Sequence, residues 1–212
     1  MLTPTFLTSA GITLFLALIA WASTRHLRLE PTPWQTALEA TYDAARKAVE
    51  DVLPQHTARI MPFIATLWLF VLVANLVGVI PGLQSPTADL STTAALAVIV
   101  FVSVHAYGIR IRGLRAYLRH YVEPNPIMLP FHLISELSRT LALAVRLFGN
   151  IMSLELTALL VLLVAGFLVP VPVLMLHIVE ALVQAYIFGM LALVYIGGAL
   201  QAQEERSLAK ET

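Results

Sequence analysis

The chain has 212 residues, of which 58% are hydrophobic and 12% charged, and its formal net charge is zero. A soluble domain carries about 25% charged residues, so this composition is that of an integral membrane protein. The neutral balance offers no field for nucleic acid, and the lack of cysteine excludes disulfides, thiolate metal sites, iron–sulfur clusters and cysteine nucleophiles.

The first apolar run, Phe6 to Ala22, sets a span over residues 5–23. No Lys or Arg precedes it and it exceeds a signal-peptide core, so it is expected to be retained. Arg25, His26 and Arg28 follow, then Pro31 and Pro33 break the chain. Residues 34–53 are different. Glu39, Asp43, Arg46, Lys47, Glu50 and Asp51 interleave with Trp34, Ala37, Leu38, Ala45, Val49 and Val52 at helical spacing. That pattern predicts an amphipathic helix at the membrane surface, or a solvated helix against a partner. Residues 61–80 form the second span, with Asn75 as its one strongly polar side chain and a Gly78–Gly82 turn signal at its end. Residues 90–108 form the third. His105 borders a basic loop and reads as a satisfied interfacial histidine.

That loop holds Arg110, Arg112, Arg115, Arg119 and His120. The chain is then helix-compatible over residues 126–165. It breaks at Gly166 and Pro170-Val171-Pro172, resumes over 173–200, and leaves a charged tail, 201–212, expected to fray. The fold class is an all-α membrane protein: one membrane domain with five membrane segments and one interfacial amphipathic helix. Phe131 to Ala165 would be about 52 Å of helix against a hydrocarbon core of about 30 Å, so it must lie steeply tilted, extend well into the inner interface, or both. The last two segments form a long tilted hairpin, folded about Phe167–Val169. Lys and Arg flank alternate ends of the spans, whereas the loops near Gln84 and Gly166 have none. The positive-inside rule puts the N-terminus outside and the C-terminus inside.

Arg146 dominates the functional reading. Between Leu141 and Val164 the only other ionisable residue is Glu155. A guanidinium at mid-depth costs roughly 2.5–3.5 kcal/mol on insertion scales and stays charged at any working pH. The plain alternative is a structural arginine that snorkels or pairs with a buried acid. Helical geometry places Ser135, Arg139, Ser153 and Thr157 within about 20° of Arg146, and Asn150 within about 40°. One polar stripe therefore runs through the membrane, while Glu155 lies on the opposite side of the axis. Across the hairpin His177, Glu180 and Gln184 share a face. Folding brings Asn150 level with Gln184, and Glu155 level with Glu180 and His177. Buried carboxylates and histidines of this kind pair with one another or line a water-filled path. Glu155, His177 and Glu180 as a metal site is the competing reading, but the double-His spacing of a zinc helix is missing. No Gly-rich loop followed by Lys-Ser or Lys-Thr occurs, so nucleotide binding is not expected.

The run Leu133-Ile-Ser-Glu-Leu-Ser-Arg-Thr-Leu-Ala-Leu-Ala-Val-Arg-Leu-Phe-Gly-Asn150 resembles the signature of subunit a of F-type ATP synthases. Asn75-Leu-Val-Gly-Val-Ile-Pro-Gly, Ser85-Pro-Thr-Ala-Asp-Leu and the His177–Tyr195 helix resemble the same family, over about Pro62 to Ala199. The resemblance implies an ion-translocating stator that does not itself hydrolyse ATP. Arg146 matches the essential arginine. Asn150, Glu155, His177 and Gln184 match the ion path, joined here by Glu180. His132, Ser135, Glu136 and Arg139 stand where inner access is expected. Implied partners are a ring of c-type proteolipids, peripheral stalk subunit b, the catalytic head and the bilayer of a bacterial inner membrane. No cofactor is implied, and the carried ion is H⁺ or Na⁺. His132 replaces an acid of many relatives, Thr140 and Ala142 replace Pro and Ser, and Glu180 replaces an apolar residue. With the short N-terminus and loops, these departures imply a variant bacterial, Na⁺-type branch. The alternative is a self-contained secondary transporter with Arg146 as a substrate or counter-ion site. It predicts an inverted repeat, which the hydropathy pattern does not display.

Overall fold

In a computed structural model of the chain, residues 4–25, 32–80, 83–114, 129–165 and 170–211 are described. They include six long helices: α1 (Pro4–Thr24), α2 (Pro33–Val52), α3 (Thr57–Val77), α4 (Leu90–Arg112), α5 (Leu129–Ala165) and α6 (Pro170–Glu211). Five of them, all but α2, are long and apolar enough to cross a membrane. The all-α membrane class read from the sequence is thus the class observed.

Local chemistry sets the ends. Pro33 opens α2 with its missing N–H at a position that needs none, and the Thr32 hydroxyl accepts from the Gln35 N–H. Asp89 caps α4, its carboxylate accepting from the Ser91 backbone N–H at 2.9 Å. Those bonds hold the Asp89 pKa below its usual value. Inside the apolar helices, hydroxyls bond back to carbonyls one turn earlier, as Ser9 does to Thr5 and Thr66 to Pro62. Such polar side chains therefore need no external partner.

α3 packs on α6, α4 on α5 and α6, and α5 on α6. The seam is built from Ile60, Ile64, Val71, Leu147, Phe188 and Ile196, all nearly or fully buried. α2 joins it through Val49 and Leu53, which pack into the same core. So α2 turns the apolar residues of its C-terminal half onto the protein, whereas Trp34, Leu38 and Tyr42 nearer its start are exposed. The expected fold-back at Phe167–Val169 and most of the basic loop lie outside the described residues. α6 differs from expectation at its far end. The tail expected to fray beyond Leu200 is helical to Glu211, because Gln, Ala, Glu, Arg, Leu and Lys are strong helix formers. α5 spans 37 residues, roughly 55 Å of helix, and so is much longer than a hydrocarbon core of about 30 Å.

One close approach fixes α3 against α6. A Cβ at Gly189 would run into the Trp68 indole at Nε1. That indole stacks on Tyr186 and donates to the Tyr186 carbonyl at 3.2 Å. Gly189→Ala is therefore expected to lower stability by about 1–3 kcal/mol, the usual scale of overpacking. A thermal midpoint in detergent equal to that of the wild type would contradict this.

Candidate functional site

The buried seam of α5 decides where Arg146 points. Leu143, Leu147, Ile151 and Leu154 recur at helical spacing and face the other helices. A flank about a quarter turn from that seam is left outward, and on it Ser135, Arg139, Arg146, Ser153 and Thr157 are all exposed. The predicted polar stripe is thus an outer surface of the bundle, with Leu141 and Val145 exposed beside it. Among the described residues no carboxylate forms an ion pair with Arg146; the ion pairs are Arg46–Glu50 and His105–Glu136.

On one side of Arg146 the hairpin pairing is as the sequence placed it. The Asn150 amide donates to Gln184 Oε1 at 2.7 Å. Gln184 and His177 are buried, and the Nε2 atom of each has no hydrogen-bond partner among the described residues. Leaving such a group unpaired costs about 1–3 kcal/mol, so both are ready to bond a water or another polar group. Glu155 and His177 meet across Gly78. A Cβ there would lie 3.0 Å from Glu155 Oε1 and 3.3 Å from His177 Cε1. Glu180 is half-buried one turn along α6 from His177.

Three residues around Glu155 were not singled out for this site in the sequence. The Ser85 backbone N–H donates to Glu155 Oε1 at 3.1 Å. It is free to do so because Ser85 caps the short turn Pro86–Ala88. The Ser85 hydroxyl donates to the Ala74 carbonyl at 2.8 Å and lies 2.6 Å from Thr87 Oγ1. Thr87 donates to Asn75 Oδ1 at 2.7 Å. Asn75, Ser85 and Thr87 are fully buried or nearly so. The available signals were a Ser-Pro-Thr turn start, which favours a hydroxyl cap, and a lone Asn in an apolar span.

On the other side of Arg146, Glu136 and His132 are half-buried, while Ser135 and Arg139 are exposed. Glu136 Oε2 lies 3.3 Å from His105 Nε2, and His105 Nδ1 is 2.8 Å from the Phe101 carbonyl. His105 is therefore a satisfied histidine, as read, but its partner is an acid of the candidate inner set. The Arg139 guanidinium lies 5.1 Å from the Tyr195 ring centroid. A cavity of about 20 Å³ touches His105, Glu136, Arg139, Thr140 and Tyr195. That is room for one water, which needs about 10–15 Å³. Along α5 Glu136 stands about 15 Å from Arg146 in one direction, and Glu155 about 13 Å in the other. The site is therefore two polar clusters at different depths, with an outward-facing, fixed positive charge between them.

The chain matches the family model described as ATP synthase A chain over residues 5–197. It is 62% identical over 207 residues to ATP synthase subunit a 2 of Pelobacter propionicus, covering 98% of this chain and 91% of that protein. It is 58% identical to ATP synthase subunit a of Legionella pneumophila strain Philadelphia 1, covering 97% and 90%. With ATP synthase subunit a 1 of Hahella chejuensis the identity is 55%, covering 98% and 88%.

Proposed function

The chain belongs to the ATP synthase A chain family, and from that premise we propose that it moves ions through two half-channels that meet at Arg146. As a family member it is a multi-pass membrane protein and an ion-translocating stator subunit of an ATP synthase. In the finer reading, its exposed α5 stripe faces a ring of c-type proteolipids, each with a carboxylate at mid-membrane. Subunit b and the catalytic head complete the assembly. The chain lies in a bacterial inner membrane, N-terminus outside and C-terminus cytoplasmic, an orientation supported by its loop charges.

A ring carboxylate facing lipid must be neutral, carrying H⁺ or Na⁺, because bare charge in hydrocarbon is too costly. Facing Arg146, its ionised form is favoured and the ion leaves. Ions enter past His177, Glu155 and Glu180, and reach the ring beside Asn150 and Gln184. They depart along Arg139, Ser135, Glu136 and His132. Each charge crossing the membrane potential supplies about 2.3 kcal/mol per 100 mV. Arg146 also blocks a direct leak, since a cation would have to pass a fixed positive charge. The observation that carries this reading is the outward exposure of Arg146 between two separate polar clusters. A self-contained transporter would turn its charged site into a chamber between its own helices.

Because the chain has no cysteine, single thiols test it without background. Ser153→Cys in the assembled complex is expected to react with a small membrane-impermeant thiol reagent from outside only, and Ser135→Cys from inside only. Reaction of both from the same side would overturn the two-channel arrangement.

A further inference from the structure

We propose that the cleft between α1, α2 and α3 binds one phospholipid with a primary-amine head group, the ammonium resting at Glu39 and Asp43. The cleft is a cavity of about 1100 Å³. Its shape follows from how α1 is held. Near its start α1 is pinned to the head of α4, where Thr5 hydrogen-bonds Asp89, and Ile12 is buried. At its other end the Trp34 indole N–H reaches Ser23 Oγ at 3.4 Å. Between these ties the cavity runs along α1 from Thr13 to Thr24 and touches Thr66, Leu69 and Phe70 of α3.

Depth argues for a lipid. Thr13 to Thr24 rises about 16 Å, close to half of a hydrocarbon core of about 30 Å. A spanning helix needs the full thickness, and here α1 closes on its neighbours halfway across. The other end is walled by Thr32 to Asp43, at the polar surface helix. One leaflet is therefore the available depth, with acyl chain against Leu16, Ala20, Leu69 and Phe70. Trp34 and Tyr42 are exposed at the cleft, the amphipathic rings typical of a head-group level.

Charge selects the head group. Glu39 and Asp43 stand at i and i+4 on one face of α2 and both line the cleft. Among the described lining residues there is no Lys or Arg. The Arg25 guanidinium sits 4.4 Å above the Trp21 ring, and Trp21 is not part of the lining. Arg46 faces Glu50 instead, at 3.9 Å. The charges among the described lining residues are thus these two carboxylates, Glu39 also accepting from the Gln35 amide at 2.8 Å. Thr32 and Ser23 stand within the lining as hydroxyl donors for the adjoining phosphate.

The test uses the assembled complex in nanodiscs of phosphatidylethanolamine and phosphatidylglycerol in equal amounts, followed by extraction and mass spectrometry of retained lipid. Wild type is expected to retain phosphatidylethanolamine preferentially. Glu39→Gln combined with Asp43→Asn should cut that preference roughly tenfold. Both residues are exposed, so the fold should tolerate the changes. A photo-crosslinker at Leu69 should attach to lipid in an otherwise native chain. Retention of phosphatidylglycerol instead, equal retention of both lipids, an unchanged preference in the double variant, or crosslinking to a polypeptide would each overturn the proposal.

Discussion

Arg146→Ala is expected to abolish ATP-driven ion uptake in reconstituted vesicles while the complex still assembles. The two outcomes have different physical origins. Arg146 is exposed on the outward face of α5 and has no ion-pair partner among the described residues, so little of the bundle depends on it. Removing a mid-membrane guanidinium relieves roughly 2.5–3.5 kcal/mol of insertion cost, so the helix itself should be no less stable. A structural arginine would behave the other way, leaving a buried acid unpaired and costing about 3–5 kcal/mol. Function should nevertheless collapse, because the other guanidinium of that stripe, Arg139, lies over the Tyr195 ring about 10 Å away along α5 and cannot take its place. Arg146→Lys refines the test. Lysine keeps a positive charge in water but neutralises when buried, and it lacks the planar fork. Uptake should therefore remain severely impaired. Normal uptake by an assembled Arg146→Ala complex would remove Arg146 from the mechanism.

What the sequence made legible follows from how far each inference had to reach. The polar stripe needed only the 100° step of one helix, and Ser135, Arg139, Arg146, Ser153 and Thr157 do share an exposed face. The Asn150–Gln184 bond needed one more assumption, that two consecutive helices fold back about a known break. Both stay within neighbouring segments. The Glu155–Ser85 contact joins residues far apart in the chain and depends on where the α3–α4 turn lands against α5. The His105–Glu136 pair depends on the register of α4 against α5. Helices that are apolar all round do not advertise which face meets which neighbour, so no periodicity could supply those two contacts. The continuation of α6 to Glu211 was hidden for another reason. Charge was read as an end to the membrane segment, whereas helix propensity in those residues allows the backbone to continue beyond it.

Gly78→Val is expected to stop uptake nearly as completely, by closing the outer path. The turn after α3 brings Gly78 against three groups at once. Its added Cβ would meet Glu155 Oε1 and Ser85 Cβ at 3.0 Å, and His177 Cε1 at 3.3 Å. Alanine requires these neighbours to give by a few tenths of an ångström, and its effect should be partial. Valine adds two further methyl groups beyond that Cβ, where Glu155, Ser85 and His177 already crowd it. The carboxylate would be pushed off the Ser85 N–H, a charge-assisted hydrogen bond worth about 1.5–3 kcal/mol. Glu155→Gln keeps the shape and removes the charge, so it separates blockage from chemistry. It should slow uptake without blocking it, because the amide oxygen still accepts from the Ser85 N–H but the side chain can no longer carry a charge. His177→Ala should slow it as well, since it empties the other wall of the same passage. Assembly is checked by native gel, and uptake is followed over a pH series with H⁺ and with Na⁺ as the carried ion. Wild-type rates for Gly78→Val and Glu155→Gln across that series would place the outer entry elsewhere in the bundle. A graded loss from Ala to Val, with Glu155→Gln slow but unblocked, is the pattern of a passage whose width and charge are set at one crossing.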